Sequence, residues 1–194
     1  MSSNPPAPTL VIDRWRHPDG TELTIRSIRA DDLAREEAFL RHLSPQSAYQ
    51  RMMSVRFPTP QELRRFTDID PRHEIALVIT RQHEGQEEQI AVARCIDLDD
   101  HGRPTGEAEF AIVIADEWQS RGLGMRLMTR LIEAARAHGV RRLVGYTLSD
   151  NTGMLRLARS LGFELSRQPG EASVTGLVLE LSEASERPRQ SPTA

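Results

Sequence analysis

The segment Gln119–Gly124, with the sequence QSRGLG, restricts the fold of this chain more than any other part of it. It lies between a predicted strand that ends at Ile114 and a predicted helix that begins near Gly124. The two glycines allow a tight turn and let the main chain come close to a ligand. The first turn of a helix carries unpaired N–H groups and the positive end of the helix dipole. This order of elements predicts a diphosphate site, to which Arg121 and Arg126 would add positive charge.

Two other families of phosphate-binding loops do not fit this segment. A P-loop requires lysine and then serine or threonine after its last glycine, but Met125 follows Gly124 here. A dinucleotide-binding loop requires a third glycine, and this chain has Leu127 at that position. That loop also belongs to a parallel βαβ unit, whereas the present one follows strands that we expect to be antiparallel.

The rest of the chain alternates between helical and strand periodicity. We expect a helical N-terminal part, then a three-stranded antiparallel meander, then the order strand, helix, strand, helix and two closing strands. The predicted strands are 22–28, 74–81, 89–97, 107–114, 142–148, 163–166 and 174–181. The predicted helices are 31–43, one from 44 through 52, one beginning at the capping box 59–62, 124–138 and 152–161. The residues of the first helix expected to face the core are Leu33, Ala34, Ala38 and Leu40.

Charge and composition exclude several classes of function. The net charge is −3, the pI is about 6.1 and 5% of the residues are aromatic, whereas a nucleic-acid binder usually has a basic stripe and a high pI. No apolar run approaches the roughly 20 residues of a membrane-spanning helix, and no secretory signal is visible. The single cysteine, Cys95, cannot form an internal disulfide, which fits a cytoplasmic location. We therefore expect no nucleic-acid partner and no membrane partner.

The length of 194 residues fits one domain. Residues 1–9 and 183–194 are rich in proline, serine and charge, so we expect two disordered tails around a single folded domain at 10–182. The oligomeric state is expected to be a monomer or a homodimer.

The downstream pattern identifies a family. The loop resembles the acetyl-CoA loop of the GNAT N-acetyltransferases, whose signature is [Q/R]-x-x-G-x-[G/A]. Members of that family continue with a helix, a strand, an asparagine and a helix that ends in L-G-F, and this chain has Asn151 and Leu161-Gly162-Phe163 there. The resemblance covers about residues 21–181. The segments most similar to the GNAT domain of bacterial protein lysine acetyltransferases are IRSIRADD, LSPQSAYQRMM, DIDPRHEIALV, AEFAIVIADEWQSRGLG and NTGMLRLARSLGF.

The resemblance implies an α/β (α+β) domain of the GNAT fold. Its sheet would be mixed and mostly antiparallel, flanked by helices, with a V-shaped splay between the fourth and fifth strands. Acetyl-CoA would be the co-substrate, with no metal. Main-chain groups near Ile112 and Ile114 would pair with the pantetheine arm, and Asn151 would bond the pantetheine, cap the next helix, or do both. The residues expected around the pyrophosphate are Gln119, Arg121, Gly122, Leu123, Gly124 and Met125.

An amine acceptor must lose a proton before it attacks a thioester, because a lysine ammonium has a reference pKa of about 10.4. The resemblance implies Glu109 as the general base, with Glu107 as the fallback. Apolar neighbours suggest that Glu109 is partly buried, which would strengthen it as a base. Many relatives have a tyrosine that acts as the general acid where this chain has Ala158, so no general acid is assigned. Tyr146 is expected to belong to the core.

The sequence favours neither a cysteine nucleophile nor a metal site. Cys95 could act as a nucleophile, but a lone strand cysteine is usually a small core residue. A cluster of acids and a histidine could suggest a metal, but it crowds a predicted turn and matches no standard zinc or calcium loop. The residues of this cluster are Asp97, Asp99, Asp100 and His101.

Two functions remain open at this stage. The first is an enzyme that acetylates a primary amine, either a small molecule or a protein lysine. The second is a non-catalytic regulatory module of GNAT fold that binds acetyl-CoA. An acceptor would lie opposite the cofactor, beside the N-terminal helices. The residues expected to line that acceptor site are Ser44, Tyr49, Arg51 and Met53.

Overall fold

The structure is a computed structural model that describes residues 10–52, 56–100, 103–168 and 171–181. The strands are β1 (Val11–Arg16), β2 (Glu22–Ser27), β3 (Glu74–His83), β4 (Gln86–Asp100), β5 (Arg103–Ile114), β6 (Arg142–Leu148), β7 (Glu164–Gln168) and β8 (Glu171–Glu180). The helices are α1 (Leu33–His42), α2 (Pro45–Met52), α3 (Pro60–Thr67), α4 (Leu123–Ala137) and α5 (Thr152–Ser160). Across the described segments, every helix is too short or too polar to cross a bilayer. The predicted tails at 1–9 and 183–194 lie outside the described residues.

These strands form one sheet in the order β1-β2-β3-β4-β5-β6-β8-β7. Strands β5 and β6 are parallel, and every other neighbouring pair is antiparallel. The mixed, mostly antiparallel sheet flanked by helices is therefore confirmed. Strand β1 was not predicted, because it lies at the edge of the sheet and has no run of buried apolar residues. With β1 counted, the predicted fourth and fifth strands are β5 and β6.

Strands β5 and β6 pair over only a short stretch. The paired residues are Glu107–Glu109 on β5 and Arg142–Val144 on β6. Beyond these, β5 stays paired with β4 as far as Ile114, and β6 stays paired with β8 as far as Leu148. The two strands therefore diverge after Glu109 and open a gap in the sheet, at the place where the splay was predicted.

The strand register decides which side chains share a face of the sheet, because directly opposed residues point the same way. Glu109 is opposite Ile96, and Ala111 is opposite Arg94. The guanidinium of Arg94 donates to the main-chain oxygen of Phe66 on α3. Glu109 therefore lies on the face that α3 covers. Phe110 points to the other face, opposite Cys95 on β4.

Helix α1 buries a different stripe from the one predicted. Ala34 and Ala38 are exposed, so their expected core positions were wrong, while Phe39 and Leu40 are buried. Glu36 is also buried, and burial raises the pKa of its carboxyl group. An acidic residue on the core-facing side obscures the apolar periodicity from which the stripe was predicted.

A buried ion pair fixes the start of α1 to the sheet. Arg26 on β2 donates two hydrogen bonds of 2.7 Å to the carboxylate of Asp32, which is fully buried. Burial alone would raise the pKa of Asp32, but the hydrogen bonds and the charge of Arg26 hold it below its ordinary value. Arg26 also donates to Glu87 at 2.8 Å, so the loss of Asp32 would leave the buried guanidinium with one carboxylate partner instead of two.

We predict that Asp32→Ala lowers the free energy of unfolding by about 1.5–3 kcal/mol near neutral pH, because Arg26 then loses two charge-assisted hydrogen bonds and keeps only its pair with Glu87. The depressed pKa of Asp32 means that this stabilisation is present above the unfolded-state pKa of about 3.9 and fades as the pH falls through the folded-state pKa. Urea denaturation across pH 3–8 measures both effects. The control is Glu22→Ala, which removes the exposed pair with Arg16 and should cost less than about 1 kcal/mol. Equal losses for the two variants would contradict the prediction.

Candidate functional site

The glycine-rich loop presents unpaired main-chain N–H groups at the start of α4. Gly122 precedes the helix with a φ of +83°, and no side chain caps the helix there. Ser120 also has a positive φ, of +58°. From Ser120 to Met125 the main-chain N–H groups donate no hydrogen bond to any described residue. These groups, together with the positive end of the helix dipole, suit an anion such as a diphosphate.

A cavity of about 350 Å³ extends from this loop into the gap between β5 and β6. It is lined by residues of both strands, of the loop and of helices α2, α4 and α5. The predicted cofactor residues among them are Ile112, Ile114, Gln119, Gly122, Gly124, Met125 and Asn151. Beyond the paired residues, main-chain N–H and C=O groups of β5 and β6 face the gap without a strand partner. An extended molecule with amide groups could form hydrogen bonds with them.

Two of the predicted loop residues offer the cavity no side chain. Leu123 is buried in the core, 2% exposed. The guanidinium of Arg121 turns away to Asp19, with a Nη1–Oδ2 distance of 3.1 Å, and lies over the ring of Trp118. Arg126 likewise reaches Asp13, at 2.9 Å. The loop therefore faces the cavity with its main chain, while the side chains of Arg121 and Arg126 bind aspartates elsewhere.

The side chain of Gln119 connects the loop to α2. Its amide nitrogen donates to Ser47 Oγ and to the main-chain oxygen of Ile114, both at 3.1 Å. Asp116, three residues earlier, accepts hydrogen bonds from the hydroxyl groups of Ser44 at 2.7 Å and Ser47 at 2.8 Å. Burial would raise the pKa of Asp116, but these donors hold it below its ordinary value. The predicted cofactor residue Gln119 and the predicted acceptor residue Ser44 thus belong to one hydrogen-bonded connection.

This connection could not be found from the sequence. Ser44 was predicted only to line an acceptor site, and Asp116 had no assigned role. The residues that meet are about 70 positions apart in the chain, so no local pattern joins them.

Asn151 begins helix α5 and also lines the gap. Its side-chain oxygen accepts a hydrogen bond from the main-chain nitrogen of Met154 at 3.0 Å. This leaves the side-chain NH₂ group as the donor available to a ligand. The two roles considered for Asn151 are geometrically compatible.

A second cavity, of about 450 Å³, adjoins the first on the face that α3 covers. Both cavities are lined by Gln50, Arg51, Phe110, Ala111 and Tyr146, which lie at their junction. The residues that line only the second cavity are Arg56, Pro58, Glu62, Phe66 and Glu109. A small molecule in the second cavity would therefore reach the gap through the junction.

Glu109 lines the second cavity, but it is exposed rather than partly buried, so the expected burial was wrong. The strand register explains this, because Glu109 is the last residue paired with β6 and faces the opening between the strands. The fallback residue Glu107 accepts a hydrogen bond of 2.7 Å from Arg142 and lines neither cavity. Of the two carboxylates, Glu109 has the position from which it can reach an acceptor.

Tyr146 was expected in the core, and this was wrong. Its side chain is 53% exposed and lines the junction of the two cavities. On β6 it is two residues beyond Val144, the partner of Glu109, and so shares the face of Glu109 across the gap. The divergence of the strands leaves this tyrosine uncovered.

Of the four residues expected around an acceptor, Arg51 lines both cavities. Tyr49 is exposed and lines neither, and Met53 lies outside the described residues. Gln50, Glu62 and Phe66 also line the second cavity and were not predicted, because their positions follow from how α2 and α3 pack on the sheet.

The remaining candidate groups do not contribute to either cavity. Cys95 is buried, and burial followed by the charge of Asp97 raises the pKa of its thiol to about 12, which makes it a poor nucleophile. Ala158 is fully buried. The described residues contain no cluster of three or more histidine, cysteine or acidic side chains that could hold a metal. The side chains of Asp99 and Asp100 and all of His101 lie outside what the structure describes.

Comparison with known proteins agrees with this geometry. The acetyltransferase (GNAT) domain model matches residues 22–164. An acetyltransferase of Pseudomonas aeruginosa is 30% identical over 156 residues, which is 80% of this chain and 82% of that protein. The L-methionine sulfoximine/L-methionine sulfone acetyltransferase of Pseudomonas paraeruginosa is 40% identical over 63 residues, which is 32% of this chain and 37% of that protein. The crystal structure of the GNAT domain of S. lividans PAT has a TM-score of 0.75 at 28% identity and covers 87% of this chain and 96% of that one.

We predict that Gly122→Ala weakens the binding of coenzyme A by at least about tenfold, or 1.4 kcal/mol. A Cβ disfavours the φ of +83° and would redirect the unpaired N–H groups of the loop. Gly85→Ala is a matched control, because Gly85 has a φ of +79° and equally open surroundings but lies in the turn between β3 and β4. Each variant should lose roughly 1–2 kcal/mol of stability.

Isothermal titration calorimetry with coenzyme A measures the affinity, and urea denaturation measures the stability. Only Gly122→Ala should lose affinity. Unchanged binding in Gly122→Ala, or an equal loss in both variants, would remove the loop from the binding site.

Proposed function

Because this chain belongs to the GNAT family of acetyl-CoA-dependent acyltransferases, we propose that it transfers the acetyl group to a primary amine, with Glu109 as the general base. The observation that carries the proposal is the junction of the two cavities. The loop and the gap fit the coenzyme, and the second cavity presents Glu109 and Tyr146 where the gap opens. An amine in the second cavity would meet a thioester at this junction.

The residues that would hold acetyl-CoA fit its chemistry. The unpaired N–H groups from Ser120 to Met125 match the oxygens of a pyrophosphate. The free edges of β5 and β6 in the gap match the amide groups of a pantetheine arm. Bound in this way, the coenzyme supplies an activated acyl group as its thioester.

The amine reaches the site mostly as an ammonium ion, with a reference pKa of about 10.4. Glu109 accepts one proton from it, directly or through one water molecule. The neutral amine then attacks the thioester carbonyl carbon, a C–N bond forms, and the C–S bond breaks as the coenzyme leaves as a thiolate. The second proton on the nitrogen is lost, and the thiolate takes up a proton to give free coenzyme A. No general acid is assigned, because this chain has Ala158 where many relatives have a tyrosine.

The acceptor could be a small molecule or a protein lysine. The chain itself contains no lysine, since all 25 of its Lys and Arg positions are arginine. Any acetyl-lysine that forms in a reaction mixture therefore belongs to the acceptor. Incubating the purified protein with acetyl-CoA and amines, with detection of the released thiol and of acetylated products by mass spectrometry, tests the proposal. The regulatory-module interpretation would replace it if coenzyme A binds but no amine yields free thiol.

We predict that Glu109→Gln lowers kcat by about 10²–10⁴-fold, the usual effect of losing a general base. The affinity for coenzyme A should stay unchanged, because Glu109 lines the second cavity and not the first. Glu107→Gln is the matched control on the same strand, and it should retain most activity because Glu107 is engaged with Arg142. Steady-state kinetics with a saturating amine measures both. If Glu109→Gln turns over at the wild-type rate, or if Glu107→Gln is the more damaged variant, the base is misassigned.

A further inference from the structure

A guanidinium group that has no partner among the described residues lies where the two cavities meet. Arg51 on α2 lines both cavities and is half-buried. It forms no hydrogen bond and no ion pair with any residue that the structure describes. Burial, then the charge of Arg94, lowers the pKa of Arg51 to about 10, while Glu36 and Glu109 act in the opposite direction. The group is thus still a cation at neutral pH, partly removed from water and without a direct counter-ion.

The other charges around the second cavity are matched to each other. Arg56 forms an ion pair with Glu62 at 2.8 Å. Arg94, behind the cavity, forms an ion pair with Glu74 at 2.9 Å. Glu109, like Arg51, has no hydrogen bond and no ion pair with a described residue. The cavity therefore presents two unmatched charges of opposite sign, close enough that Glu109 affects the pKa of Arg51.

Given the proposed amine acetylation, on which this inference rests, we propose that the acceptor carries a carboxylate next to its amine, as a free amino acid does, and that Arg51 binds this carboxylate. The ammonium group of such an acceptor then faces Glu109. Arginine suits the task because its planar guanidinium donates two parallel hydrogen bonds to a carboxylate. The cavity of about 450 Å³ is within the size range of small-molecule sites.

A polyamine or a lysine side chain fits these charges less well. Each would bring a cation next to Arg51 but no negative charge of its own for Arg51 to bind. Like charges in a partly desolvated site repel. An amino acid matches both charges at once. In this assignment Arg51 selects the acceptor, and Glu109 carries out the proton transfer.

The test compares acceptors that differ only in the carboxylate. The free acids are L-methionine sulfone, which appears in the name of one relative, and a panel of common L-amino acids. Each is assayed against its carboxamide, which keeps the amine and lacks the negative charge. A lysine peptide with both ends blocked is the third arm. The best free acid should exceed its carboxamide in kcat/KM by at least about tenfold, or 1.4 kcal/mol.

The variant Arg51→Gln should reduce that ratio to less than about threefold, because the KM for the free acid rises more than the KM for the carboxamide. Arg51→Lys should restore part of the preference. The matched control is Arg64→Gln, which removes the same charge from an exposed position on α3 that lines neither cavity. It should leave both acceptors unchanged.

The proposal is overturned if wild type uses free acids and carboxamides equally, or if Arg51→Gln impairs both alike or affects only acetyl-CoA. Faster acetylation of the blocked lysine peptide than of every free acid also overturns it, and leaves amine acetylation itself intact. If no amine is acetylated, the proposed function fails. Thermal shifts of the complex with coenzyme A then decide the carboxylate site: larger shifts with free acids support it, and equal shifts reject it.

Discussion

The end of the hydrogen-bonded pairing between β5 and β6, after Glu109 and Val144, is the constraint on which the rest of this structure depends. Beyond that point β5 stays paired with β4, and β6 stays paired with β8. Each of the two strands therefore loses hydrogen bonds only along the edge that faces the gap. Phe110, the first residue past the pairing, packs against Gly145, where a Cβ would come within 2.5 Å of its ring. Glycine on β6 therefore lets a bulky ring sit at the start of the gap. The unpaired edges beyond it require polar partners, which an extended amide-containing ligand can supply.

The second requirement is that the acceptor side keeps a fixed position relative to the coenzyme. The carboxylate of Asp116 and the amide of Gln119 attach α2 to the segment between β5 and the loop. Because α2 carries Arg51, the same few hydrogen bonds set where this cation lies relative to the glycine-rich loop. The Arg26–Asp32 ion pair fixes the preceding helix to β2 in a comparable way. Orientation of this kind is what a direct transfer between two substrates needs.

Sequence could predict the parts of this arrangement that local chemistry determines. The loop, its helix and the asparagine that caps α5 follow from glycine conformation, capping and periodicity within a few residues. The order of strands and helices along the chain followed from periodicity, and the splay between two strands followed from the family resemblance. Exposure could not be predicted in the same way. Glu109 and Tyr146 are exposed because two strands diverge there, and Glu36 is buried because of residues that approach from β4 and α2. Such properties depend on strand register and on contacts over 50 or more positions, as between Glu36 and Gln89.

If Glu109 is the base, as proposed, its exposure decides how it can act. A buried carboxylate gains basicity from desolvation but must pass its proton onward through the protein before the next turnover. A carboxylate at an open junction can release its proton to water at once. Its contribution then comes from position and from the negative charge that it holds beside an incoming ammonium ion. The neighbouring cation of Arg51 opposes that attraction unless the acceptor brings its own anion, so the two unmatched charges favour an acceptor that carries both.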